Sequence, residues 1–127
     1  MIDVGVGSRL GDEKQNVVND FIESHLKHPP RGFGFVGQRT AAMKFDASNR
    51  LDEIGCPCCV VHGAEDQVIS IDNGRELGSS INGAEVVELK GVGHFPQIED
   101  PFHLARAILE LTERTCSIHH SELSIEP

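Results

Sequence analysis

The chain has 127 residues, and 11 Lys and Arg against 20 Asp and Glu give it a formal net charge of −9. That length sets a ceiling of one domain, and 39% hydrophobic with 24% charged residues describes a globular chain with a core, excluding a disordered solvator or a fibre. The acidic balance, with no Lys/Arg cluster to offset it, argues against nucleic-acid and membrane-surface partners. No apolar run approaches the roughly 20 residues a membrane span needs, and Met1-Ile2-Asp3-Val4 lacks the basic-then-apolar pattern of a secretory leader, so the expectation is a cytoplasmic protein.

In chain order, Val17, Val18, Phe21, Ile22 and Leu26 form one stripe at helical spacing, which predicts an amphipathic helix from Asp12, its candidate cap, to Leu26. His28-Pro29-Pro30-Arg31-Gly32 ends it, because proline lacks the amide donor. A shorter helix is expected over Gln38 to Phe45. Gly32-Phe33-Gly34-Phe35-Val36-Gly37 matches Gly-x-Gly-x-x-Gly, but a dinucleotide fingerprint must follow a strand and open a helix; the segment is expected to be a flexible loop. Pro57-Cys58-Cys59-Val60-Val61-His62-Gly63 predicts a short strand buried on both faces. Ser70 is placed to cap a helix through about Ile81. Asn82-Gly83 breaks it before the alternating strand Ala84 to Lys90. Asp100 caps and Pro101 opens a last helix, with Leu104, Ala105, Ile108, Leu109 and Leu111 as its expected buried face. After Thr112 the pattern fades into a tail expected to be frayed.

Strand, crossover helix and strand connected this tightly should pair in parallel. Two such strands need neighbours and cover on both faces, so the sequence describes one end of a larger doubly wound α/β sheet. In such a sheet ligands gather at the strand carboxyl ends. There the loop Gly63-Ala64-Glu65-Asp66-Gln67-Val68 and the loop Gly91-Val92-Gly93-His94-Phe95-Pro96 stand side by side. Asp66 can therefore meet His94: a carboxylate accepting the Nδ1 proton fixes the tautomer and leaves Nε2 to deprotonate a nucleophile. Glu65 competes for the acid role and is otherwise a solvated loop charge. Glu99 and Asp100 fit a helix dipole and cap, His62 a half-buried strand histidine, and His25, His28, His103, His119 and His120 have no partnered spacing.

The cysteines offer a competing chemistry. Cys56-Pro57-Cys58-Cys59 contains a Cys-x-x-Cys, but a redox thiol of that type sits at a helix amino terminus and this one leads into a strand. Cys58 and Cys59 should project to opposite faces, which denies a zinc site convergent ligands. Inert buried thiols are expected there, with Cys116 alone.

Val60-Val61-His62-Gly63-Ala64-Glu65-Asp66-Gln67-Val68-Ile69 and Gly93-His94-Phe95-Pro96-Gln97-Ile98-Glu99-Asp100-Pro101 resemble the acid and histidine segments of an α/β-hydrolase, in the family order of nucleophile, acid, histidine. Arg50-Leu51-Asp52-Glu53-Ile54-Gly55-Cys56-Pro57 and Asn82-Gly83-Ala84-Glu85 are similar to the family's phrasing before those strands, so the match runs from about Phe45 to Leu111. The resemblance implies a helical cap remnant over 1–45, the carboxyl-terminal part of the hydrolase core over 46–112 and a disordered tail over 113–127. It also implies Asp66 as the orienting acid and His94 as the base of a Ser-His-Asp type triad, acting without metal or organic cofactor on a small carboxylic ester, lactone or related acyl substrate. No Gly-x-Ser-x-Gly elbow occurs in the sequence, so the nucleophile is expected upstream and the chain is expected to be inactive alone. The rival expectations are a non-catalytic binding or regulatory remnant that pairs its sheet edge with a partner chain or with itself, and a thiol module built on Cys56, Cys58 and Cys59.

Overall fold

Pro57 has no amide to give to a ladder, and the first strand accordingly begins two residues later. The computed structural model describes residues 5–28 and 32–122. In order they form α1 (Asp12–Lys27), α2 (Gly32–Lys44), a 3-10 turn (Ser48–Glu53), β1 (Cys59–Gly63), α3 (Ile71–Ser80), β2 (Glu85–Leu89), the short α4 (Pro96–Glu99) and α5 (Pro101–Glu122). β1 and β2 are parallel, in a register that sets Val61 beside Val87 and Gly63 beside Leu89. The expected strand, crossover helix, strand and last helix are all present.

The two faces of this sheet follow from the alternation of side chains. Val60, His62, Val86 and Glu88 face α3, where Arg75 donates to both Glu88 carboxylate oxygens at 2.7 and 2.9 Å. Ser70 caps α3, its Oγ accepting from the Asp72 amide at 3.3 Å. Gly78 lets the helix sit close, since a Cβ there would lie 2.1 Å from Cγ2 of Val86. Glu85 on the opposite face accepts from Arg114 of α5. β1 is half-buried, where burial on both faces was expected, and the alternating β2 is half-buried too, because among the described residues the sheet has two strands and each has one neighbour.

Among the described residues the core is small: Val18, Ile81, Leu89, Val92 and Ala107 are its buried apolar members. α5 covers only part of the expected face. Ala107 is buried and Leu104 and Leu111 are half-buried, as are His103 and Glu110, whereas Ala105, Ile108 and Leu109 are exposed; His103 and Arg114 pair with Asp100 and Glu85. α5 also runs on to Glu122 where a tail was expected from 113. Within this extension Arg114 and Thr115 bond back to the carbonyls of Glu110 and Leu111. The Gly32–Gly37 segment is likewise the start of α2 and not a loop, although each of its glycines costs a helix about 1 kcal/mol relative to alanine; none of the residues of α2 is buried. α1 starts at Asp12 with Gly11 in the cap position, so Asp12 is not the cap. Among the described residues no helix is long and apolar enough to cross a membrane.

The loops leaving β1 and β2 are pressed together. Ala64 and Glu65 donate their amides to the carbonyls of Leu89 and Val92, each at 2.9 Å, and a Cβ on Gly63 would lie 2.0 Å from the Gly93 carbonyl oxygen. The obstacle is backbone and cannot rotate away. Gly63→Ala is therefore expected to cost about 2–3 kcal/mol, the upper part of the overpacking range, read as a lower urea midpoint at unchanged slope.

Candidate active site

Asp66 and His94 meet on these two loops. His94 Nδ1 lies 2.9 Å from Asp66 Oδ2, and because an ionised carboxylate only accepts, the ring nitrogen carries the proton and Nε2 is left as the basic atom. The Asp66 side chain is 5% exposed and that of His94 31%, so the carboxylate is shielded and the imidazole partly open to solvent. Asp66 Oδ1 accepts from the Val68 and Ile69 amides at 2.8 and 2.9 Å. Burial raises the Asp66 pKa, but the bonds from His94, Ile69 and Val68 outweigh it and hold the carboxyl below its ordinary range.

A carboxylate with a depressed folded-state pKa adds stability that is present above the unfolded value, near 4, and lost as pH falls through the folded one. Acid unfolding monitored from pH 6 downward is therefore expected to show stability falling below about pH 4, with a shallower fall in Asp66→Asn.

Three residues have partners that the sequence did not disclose. Glu99, read as a dipole charge, is 1% exposed. Its Oε2 accepts from the Gly93 and Gly7 amides, both at 2.8 Å, and its Oε1 from the Phe95 amide at 3.0 Å. It thus grips the residues on either side of His94, whose own amide donates to the Gly5 carbonyl at 2.7 Å. Glu65, read as a solvated charge, accepts from the Ser8 amide and hydroxyl at 2.7 and 2.8 Å; these bonds lower its pKa and turn it away from His94. His103 is not unpartnered: its Nδ1 lies 2.8 Å from Asp100 Oδ1, while Asp100 Oδ2 accepts from Arg9 at 2.6 Å. Asp100 also caps α5, as expected, through the His103 amide.

His62 is half-buried, as expected. Its Nε2 donates to the Ile69 carbonyl at 3.0 Å and lies 3.4 Å from Asp66 Oδ2, bracing the acid loop. The Phe95 ring meets His94 and Phe21 of α1 edge-on, with centroids 5.2 and 5.3 Å apart. The thiols at the other end of β1 are not buried: Cys56 is exposed and Cys58 and Cys59 are intermediate. The Cys116 side chain lies outside the described residues. Among the described residues no three His, Cys, Asp or Glu side chains converge where a metal ion could sit.

No family model matches the sequence, and no curated protein does. Solved structures do match. Est816, described as an N-acyl homoserine lactone degrading enzyme, is 25% identical with a TM-score of 0.59 over 81% of this chain and 43% of its own. MGS-MChE2, an alpha/beta hydrolase enzyme from a sediment metagenome of the Mar Chica lagoon, Morocco, is 14% identical with a TM-score of 0.65, over 77% of this chain and 45% of its own. The esterase RhEst1 from Rhodococcus sp. ECU1013 is 19% identical with a TM-score of 0.52, over 85% and 49%. The chain therefore spans less than half the length of each.

Proposed function

We propose, from the premise that this chain carries the carboxyl-terminal part of the α/β-hydrolase fold, that it supplies the acid and the base of a hydrolase acting on a small carboxylic ester, lactone or related acyl group. The observation that carries this reading is the Asp66–His94 bond at 2.9 Å, made through Nδ1 of a part-exposed ring so that Nε2 is the nitrogen left to act as base. Nε2 takes the proton of a hydroxyl nucleophile as that oxygen attacks the acyl carbon, and returns it to the leaving alkoxide. A water activated by the same nitrogen then releases the acid. Asp66 stabilises the imidazolium that exists between these transfers. The nucleophile and oxyanion donors belong to a complementary amino-terminal half bearing a Gly-x-Ser-x-Gly elbow.

The experiment is assembly. The chain alone should hydrolyse an activated ester no faster than free imidazole, and joined to a matching elbow-bearing half it should gain turnover. A stable assembly with no gain would instead favour the non-catalytic remnant. The exposure of Ile108 and Leu109 on α5, with each strand of the sheet having one neighbour among the described residues, supports pairing of either kind, since an unpaired sheet edge recruits other chains. Analytical ultracentrifugation of the isolated chain is expected to show self-association, relieved by the complementary half.

A further inference from the structure

Pro57 holds Cys56 and Cys58 on one side of the chain entering β1, their Sγ atoms 3.9 Å apart, with the Cys58 thiol donating to the Cys56 carbonyl at 3.3 Å. Cys59 turns to the other face, where Glu85 of β2 and Glu110 and Arg114 of α5 act on it electrostatically. The structure thus separates the Cys-x-x-Cys pair of the sequence and brings together a Cys-x-Cys pair. Both thiols open onto a cavity of about 340 Å³ also lined by Arg114, at the strand end opposite Asp66 and His94.

We propose that Cys56 and Cys58 form a redox-active dithiol that exchanges with low-molecular-weight disulfides through this cavity. Cys56, the exposed member, attacks as its thiolate one sulfur of the small disulfide, which leaves one small thiolate and a mixed disulfide on Cys56. Cys58 then loses its proton and attacks the Cys56 sulfur, expelling the second small thiol. The chain is oxidised by two electrons to a Cys56–Cys58 disulfide and the reagent is reduced to two thiols. Closure moves the sulfurs from 3.9 Å to roughly 2.05 Å. Burial and the shared contact with Cys56 push the Cys58 thiol up, which suits the resolving role and leaves first attack to Cys56.

The test uses the whole chain with oxidised glutathione as the probe, followed by alkylation and mass mapping, both natively and in urea. The native chain is expected to lose two alkylatable thiols, to map a Cys56–Cys58 bond and to recover both thiols with dithiothreitol. Cys59→Ser should behave identically, while Cys58→Ser should stop at a glutathione adduct on Cys56. The oxidation constant should be at least about 10-fold larger natively than in urea, because the fold has already brought the sulfurs together. A bond to Cys59 or Cys116, an adduct that never closes in the unaltered chain, or equal constants in the folded and unfolded chain would each overturn the proposal.

Discussion

In an enzyme assembled from this chain and an elbow-bearing half, His94→Ala is expected to remove most turnover, and Asp66→Asn to lower kcat by about 10²–10⁴-fold with KM little changed. The two losses have different causes. Without His94 no group takes the nucleophile's proton, whereas the carboxamide introduced by Asp66→Asn would donate toward Nδ1, favour the wrong tautomer and leave the imidazolium unsupported. Glu65→Gln should be close to neutral for kcat, because both Glu65 oxygens are occupied by Ser8. His62→Gln should fall between these, since it disturbs the Ile69 contact behind Asp66 without touching the reacting atoms. Steady-state kinetics on an activated ester decides the order. Full activity in His94→Ala, or a loss in Glu65→Gln that exceeds that in Asp66→Asn, contradicts the assignment.

Glu99→Ala should be the most destabilising carboxylate substitution, at about 3–5 kcal/mol. Three backbone amides, one buried and two part-buried, lose their acceptor, and each unsatisfied donor costs about 1–3 kcal/mol. Against the ~5–15 kcal/mol total of an ordinary domain that is enough to unfold much of the population. Glu99→Gln separates folding from positioning. It keeps the volume and one acceptor but directs an NH₂ group at an amide donor, so it should remain folded while the Gly93-His94-Phe95 segment is held less tightly. The expected signature is a reduced kcat with a smaller fall in the unfolding midpoint than alanine causes. Urea titration of both variants, with kinetics on Glu99→Gln, checks this; a Glu99→Ala chain as stable as the parent would show that the three amides find other acceptors.

The sequence by itself determined the parts whose physics is local. A β-branched pair between Pro57 and Gly63, a serine ahead of a helical stripe, Asn82-Gly83 as a break, and Asp100-Pro101 as a helix start each act through neighbours a few residues away, and each was legible. The adjacency of Asp66 and His94 was legible too, because parallel strands joined by one helix deliver their carboxyl-end loops to the same edge. Only the tertiary structure decided the rest. Glu99 finds the Gly7 amide 92 positions away, Arg9 finds Asp100 91 away and Arg114 finds Glu85 29 away, and no spacing rule announces such pairs. α5 leaves Ile108 and Leu109 of its apolar stripe exposed, which its own spacing does not announce, while Cys56 meets Cys58 instead of Cys59 because the extended backbone alternates its faces. Where a residue's partner lies within a turn or two of chain, composition and order specify the contact; where the partner comes from another element, the contact exists only once the backbone has folded to place it.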